Sequence, residues 1–200
     1  MITFDTILSP PDIEKSLEFI GIEPSDFALK NNIFTRTKHN PIHGIGHIYR
    51  TMIACAILSE LLQKPREGLL AFCGAYIHDL ARETDGTEPD HGLKAVNRHF
   101  ILFDNLWNKY QITPKEKHVI KQAIIQHSTH EWMTPQDEGY NVMAILKDAD
   151  ALDRCRIGHL MPEWLRYDES LFIITTIKSI YNKTYLINED INFKDFLQKI

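Results

Sequence analysis

The sequence has few cysteines and no long apolar run. It contains three cysteines, Cys55, Cys73 and Cys155, and no CxxC pair, which predicts buried, reduced thiols rather than a disulfide framework. The longest uninterrupted apolar run, 52–58, has seven residues, whereas a membrane-spanning helix needs about 20. The first residues lack the basic start and apolar stretch of a secretory signal. We therefore expect a cytoplasmic protein with no membrane partner.

Basic residues do not outnumber acidic residues in the sequence. Lysine and arginine total 22 and aspartate and glutamate total 27, so the formal net charge is −5. This balance argues against bulk binding of nucleic acid, but it allows a local basic pocket for a phosphate group. The chain has no low-complexity tract, repeat or Gly/Ser linker either. A chain of 200 residues without such a boundary predicts a single domain over 1–200.

The pattern of apolar residues has a helical period along most of the chain. Thr113, Pro114 and Glu116 are typical of a helix start with a capping box. The segment 171–180 is rich in β-branched residues, but its apolar residues recur every third position, which favours a helix. We predict an all-α, compact multi-helix bundle with helices at 12–20, 25–37, 47–64, 67–80, 92–110, 114–127 and 140–154, and two or three more between 162 and 199.

The residue type that stands out is histidine, with ten copies, two of them directly beside an aspartate (His78-Asp79 and Asp90-His91). The pair His78-Asp79 ends an otherwise apolar predicted helix, where ionisable groups cost several kcal/mol unless something compensates them. A divalent cation would bind the imidazole nitrogen and neutralise the carboxylate. A mixed nitrogen and oxygen ligand set suits Zn, Mn or Fe. Three further motifs of this kind are HGIGHIYR (43–50), PDHGLKA (89–95) with IIQHSTH (124–130), and LKDADALDR (146–154).

The order His, His-Asp, Asp on a helical chain resembles the HD superfamily of metal-dependent phosphohydrolases. His47 corresponds to the first histidine, His78 and Asp79 to the pair, and Asp150 to the closing aspartate. The resemblance implies an HD-domain-like bundle whose motif-bearing core spans about 40–155, and it leaves the helices of 156–200 unassigned. His43 is an alternative to His47 as the first metal ligand, but Gly44 and Gly46 place His43 before the regular helix.

Some members of this superfamily bind two metals through two additional histidines, and His91 and His127 lie in similar contexts. The resemblance then implies one or two divalent transition metal ions (Fe, Mn, Zn or similar), with the Asp79 carboxylate bridging them. The alternative is one metal, with His91 and His127 contacting the phosphate of the substrate. The pattern resembles that of the dinucleoside-polyphosphate hydrolases in the superfamily.

Further roles follow from residue chemistry near these motifs. Asp79 and Glu83 are catalytic candidates, since Glu83 is placed to orient a water or accept a proton. Five basic residues are candidates for binding phosphate oxygens, two of them assigned to catalysis (Arg50 and Arg82) and three to substrate binding (Lys94, Lys147 and Arg154). Asp148 and Asp153 flank Asp150, and we expect them to support ligands or to face solvent.

These expectations define one principal function and its rivals. The principal one is a metal-dependent phosphohydrolase that acts on a nucleotide or other small phosphorylated metabolite through a metal-activated water. The alternative is a nucleotide-sensing or partner-binding metal module with little turnover. A third hypothesis is a metal-dependent oxygenase, because some members of the HD fold use a di-iron site for that chemistry. The helices of 156–200 are candidates for capping the core, for a substrate lid or for the surface of a homodimer.

Overall fold

The computed structural model describes residues 10–29, 33–34, 42–187 and 190–200. Every regular element in those ranges is helical, which confirms the all-α prediction. The α-helices are α1 (Pro10–Phe19), α2 (Ile45–Leu61), α3 (Pro65–Ala75), α4 (His91–His99), α5 (Asp104–Lys109), α6 (Pro114–His127), α7 (Tyr140–Asp153), α8 (Asp168–Phe172), α9 (Ile174–Thr184) and α10 (Phe193–Leu197).

Helix α2 lies at the centre of the bundle. It packs against α1, α3 and α7, and its side chains are buried along nearly its whole length because it is apolar on most faces. Helices α6 and α7 pack against each other and against α3, while α4 packs on α6. Cys55 and Cys73 are fully buried in this core and Cys155 partly, all as free thiols. No helix in the described ranges has the length and apolar character needed to cross a membrane.

Helix α6 begins as the sequence predicts. The Thr113 side chain accepts a hydrogen bond from the Glu116 amide, and the Glu116 carboxylate accepts one from the Thr113 amide at 2.8 Å. Arg66 on α3 donates to the same carboxylate from Nε at 2.6 Å. The capping box thus also ties α6 to α3 and fixes the direction in which α6 runs toward His127.

The C-terminal helices lie against the motif-bearing part of the chain. Helix α9 packs on α2 and α7 through Ile177 and Ile180, which are buried. The prediction that this β-branched segment is helical is therefore confirmed over Ile174–Ile180. Helix α10 packs on the 3-10 turn Pro24–Asp26, where the Phe193 amide donates to the Phe27 carbonyl at 2.9 Å.

Three predicted helices differ from the structure. The helix predicted at 67–80 ends at Ala75, and His78 and Asp79 lie in the turns that follow it, because the amides of Ile77 and Leu80 bond to carbonyls three residues earlier rather than four. Instead of a helix over 25–37, a 3-10 turn covers Pro24–Asp26 and residues 27–29 are irregular, because Phe27 packs its ring 5.0 Å from those of Phe72 and Tyr76. Positions 30–32 and 35–37 of that prediction lie outside the described residues. The predicted helix 92–110 is divided into α4 and α5 by a 3-10 turn over Phe100–Phe103.

Candidate metal centre

The fold brings together the six residues that the sequence singles out as metal ligands. His47 lies in the first turn of α2, His91 begins α4, His127 ends α6 and Asp150 lies in the last turn of α7. The remaining two, His78 and Asp79, follow α3 in a series of turns. Helix ends from five places in the chain therefore meet at one point.

His47, His78 and Asp150 form one half of the cluster. Nε2 of His47 lies 3.1 Å from Nε2 of His78 and 3.2 Å from Oδ1 of Asp150. One oxygen of Asp79, Oδ2, lies 3.4 Å from Nε2 of His47 and 3.7 Å from Nε2 of His78. The atoms of His47, His78 and Asp150 that can bind a metal lie within 4.8 Å of one another.

His91 and His127 form the other half, around the second oxygen of Asp79. Nε2 of His91 lies 2.8 Å from Nε2 of His127 and 3.0 Å from Oδ1 of Asp79. Nε2 of His127 lies 3.6 Å from the same oxygen. The two oxygens of one carboxylate thus face two different histidine pairs, as a bridging ligand between two cations would.

All four histidines point Nε2 into the cluster and use Nδ1 for a hydrogen bond outside it. Nδ1 of His47 contacts Asp153 at 2.8 Å and Nδ1 of His78 contacts the Ala75 carbonyl at 2.7 Å. Nδ1 of His91 and of His127 contact backbone carbonyls three residues earlier. Because a carbonyl only accepts, Nδ1 of His78 and of His127 carries the proton, and each neutral ring directs its Nε2 lone pair inward, as metal-ligating histidines do.

The charges of the first half favour a cation at this point. Burial and the charge of Arg156 oppose protonation of His47, but hydrogen bonds with Asp150, Asp153 and Asp79 outweigh them and raise its pKa to about 9. Burial alone would raise the pKa of Asp150, yet the hydrogen bond and charge of His47 hold it well below its usual range. The carboxylates stay ionised and attract positive charge, which a metal ion supplies as well as a proton does.

The pKa values of Asp79, His78 and His127 are also shifted by burial and by neighbouring charges. Burial would raise the pKa of Asp79, but the charge of His78 and hydrogen bonds with His127, His47 and His91 hold it far below its usual range. Burial lowers the pKa of His78 to about 3 and that of His127 below its ordinary value. An ionised carboxylate beside the neutral imidazoles of His78 and His127 is a donor set that divalent transition metals bind, so the residues present fit such ions.

The cluster opens into a cavity of about 450 Å³. Its wall includes Asp79, Asp150, His91 and His127, together with the loop 85–89. Two of the predicted phosphate-binding residues, Arg82 and Arg154, also line it. A small anionic ligand in this space would contact both the cluster and arginine side chains.

Arg50 and Glu83 lie outside the cavity wall. Arg50 is buried on α2 and donates from Nε and Nη2 to the Asp153 carboxylate at 2.6 and 3.0 Å. Glu83 forms ion pairs with Lys94 and Arg98 at 3.4 and 2.9 Å. The structure thus places Arg50 behind the candidate ligand His47, and it places Glu83 on the outer side of α4.

The two predicted phosphate-binding lysines also face other partners. Lys94 pairs with Glu88 at 2.9 Å. Lys147 donates to the carbonyls of Gln126 and Thr129 at 2.9 and 3.1 Å. Lys147 therefore holds the C-terminal end of α6, where His127 lies.

Two further residues line the cavity, one that the sequence does not single out and one that it offers only as an alternative to His47. Arg156 lines the cavity, and its Nη1 lies 3.6 Å from Oδ2 of Asp153. In the sequence, only its position two residues after the LKDADALDR motif points to the site. The alternative, His43, lies before α2, lines the cavity and contacts Asp85 at 3.0 Å.

The chain matches no model of a known protein family, no curated protein and no solved structure.

Proposed function

We propose that the protein is a metal-dependent phosphohydrolase of the HD type with a two-metal centre. The observation that carries this proposal is the Asp79 carboxylate, whose Oδ2 faces His47 and His78 while its Oδ1 faces His91 and His127. His47, His78, Asp79 and Asp150 would hold one ion, and Asp79, His91 and His127 the second. When bound, two such ions act as Lewis acids and provide a nucleophile from water.

The residues around the cluster supply binding and orientation. Asp153 and the backbone carbonyls fix the histidine rings, so that their Nε2 atoms are held in place before a ligand arrives. Arg82 and Arg154 line the cavity and bind phosphate oxygens, because a planar guanidinium matches two oxygens of one phosphate. This arrangement suits phosphoryl transfer, in which positioning and charge stabilisation provide most of the catalysis. We propose a nucleotide or another small phosphorylated metabolite as the substrate.

The test is phosphate release by the purified protein after loading with Mn²⁺, Fe²⁺ or Zn²⁺. Substrates are nucleoside mono- and triphosphates, dinucleoside polyphosphates and a simple aryl phosphate. We expect Asp79→Asn to lose more than about 100-fold in rate, since both halves of the centre depend on this carboxylate. Asp137→Asn is the matched control, because that carboxylate bonds to Thr134 in an exposed loop.

Two results would contradict the proposal. Release that Asp79→Asn leaves unchanged would separate activity from the cluster. A protein that retains two metals but hydrolyses none of these compounds would favour the alternative, a sensing or partner-binding module that uses the same cluster to capture its ligand.

A further inference from the structure

The ring of Tyr181 on α9 lies against a buried arginine behind the cluster. Its centroid is 5.2 Å from Cζ of Arg50, whose side chain is only 2% exposed. A guanidinium group at this distance over an aromatic face is attracted by the ring, and the attraction is strongest where water is excluded. The contact thus connects α9, to which the sequence motifs assign no role, with the residues behind the candidate metal centre.

Tyr181 also contacts the second arginine that faces Asp153. The Tyr181 hydroxyl donates to the backbone carbonyl of Arg156 at 3.4 Å, and Nη1 of Arg156 lies 3.6 Å from Oδ2 of Asp153. Arg50 donates from Nε to the other oxygen of this carboxylate at 2.6 Å. One half-buried side chain of α9 therefore contacts both arginines that neutralise Asp153.

The Asp153 carboxylate connects these contacts to His47. Its Oδ2 lies 2.8 Å from Nδ1 of His47, and Nε2 of the same ring faces the cluster. Asp153 is fully buried, so it depends on positive groups that stay at a fixed place beside it. A partner of this kind sets the orientation and the basicity of a metal-ligating histidine. An Arg50 side chain without its aromatic cover would hold Asp153, and through it His47, less firmly.

The other half of the cluster is oriented by different groups. Nδ1 of His91 contacts the carbonyl of Glu88, and Nδ1 of His127 contacts the carbonyl of Ile124. Both carbonyls belong to parts of the chain other than α9. A change at Tyr181 should therefore act on one half of the cluster only.

From these contacts we propose that Tyr181 is a positioning residue for the first metal site, which consists of His47, His78, Asp79 and Asp150. The aromatic face of Tyr181 keeps the Arg50 guanidinium group against Asp153, and Asp153 keeps the His47 ring in the orientation that a metal needs. This inference rests on the proposed two-metal centre and gives α9 a part in it.

The test measures metal affinity at the two sites separately, by competition with a chelator. His91→Ala leaves the first site to be measured, and His47→Ala leaves the second. In each of these proteins Tyr181 is replaced by Leu, which stays apolar but lacks the aromatic face, and by Phe, which keeps the face. Tyr185→Leu is the matched control, because Tyr185 follows the last turn of α9 and is 51% exposed.

We expect Tyr181→Leu to weaken metal binding about tenfold in His91→Ala protein and to change it less than about twofold in His47→Ala protein. Tyr181→Phe and Tyr185→Leu should leave the affinity of both sites unchanged within the same limit. An equal loss at both sites would indicate general destabilisation and overturn the inference. So would an equal loss in Tyr181→Leu and Tyr181→Phe, or no loss in either.

A second measurement needs no metal. The proton on Nδ1 of His47 is observed by NMR in metal-free protein and assigned by its loss in His47→Ala. Its exchange with water reports how firmly Asp153 holds the ring, and we expect exchange at least about tenfold faster in Tyr181→Leu than in wild type or Tyr181→Phe. Equal rates in all three proteins would overturn the inference. Wild type that shows this difference in rates but binds no metal would instead contradict the proposed function.

Discussion

Nδ1 of His47 lies 2.8 Å from Oδ2 of Asp153, and Arg50 donates two hydrogen bonds to the same carboxylate. Asp153 thus links a histidine of the cluster to a buried arginine and fixes the ring that presents Nε2 to the other cluster residues. Its own pKa is lowered to about 2, since the charge of Arg50 and the hydrogen bond with His47 outweigh the effect of burial. The importance of this residue lies in orientation, since the cluster itself contains other carboxylates.

We predict that Asp153→Asn weakens metal binding by about 10- to 100-fold, because an amide holds the His47 ring less firmly and lowers its basicity. Competition with a chelator measures the affinity. Asp148→Asn is the control, since Asp148 is an equally buried carboxylate of α7 that bonds to Arg166 and Ser170. Equal metal affinity in Asp153→Asn and wild type would show that Asp153 does not position His47.

The close approach of α4 and α6 depends on Gly92. A Cβ at this position would lie 2.3 Å from the Ile124 carbonyl oxygen and 3.2 Å from Nδ1 of His127. Because backbone cannot move aside as a side chain can, we predict that Gly92→Ala separates His91 from His127 and removes one metal while the other stays bound. Metal analysis measures the loss.

Gly74→Ala is the control for this substitution. Its Cβ would come no closer than 3.2 Å to a neighbour, the flexible Leu146 side chain, so we expect both metals to remain. Two metals retained in Gly92→Ala would contradict the assignment of His91 and His127 to one site.

Lys147 gives a prediction about stability. It donates to two carbonyls at the C-terminal end of α6 and pairs with Glu131 at 3.2 Å. We predict that Lys147→Met lowers the free energy of unfolding by about 1–3 kcal/mol, because it leaves partly buried carbonyls without a charged donor. Urea unfolding measures the change, with Lys115→Met, an exposed lysine paired with Glu138, as the control. Equal losses in both variants would argue against this role.

The contact between Arg66 and Glu116 predicts a pH dependence away from the cluster. Hydrogen bonds from Arg66 and Thr113 lower the pKa of Glu116 to about 2. A lowered folded-state pKa stabilises the protein above the unfolded value of about 4.3, and this contribution is lost as the pH falls toward 2. The excess stability of wild type over Glu116→Gln should therefore shrink when the pH is lowered from about 6 to about 3. A difference that stays constant would contradict this pKa.

The resemblance of their motifs to the HD superfamily indicates which six residues meet, and each of the six also lies at or near a predicted helix end. The role of Lys147 was not predictable in this way, because it depends on how the turn after His127 folds back onto α7. Arg156 reaches the cavity from a 3-10 turn that has no periodic pattern. The irregular segment at Phe27 was also not predictable from the sequence, because tertiary packing of its ring overrides local helix propensity.

The central claim is that Asp79 bridges two metal ions, and metal content per chain tests it most directly. Wild type, His91→Ala, His127→Ala and Asp79→Asn are loaded under the same conditions, freed of unbound metal and analysed for metal and protein. We predict two equivalents in wild type, about one in each histidine variant and a loss at both sites in Asp79→Asn. One equivalent in wild type that neither histidine substitution changes would contradict the account.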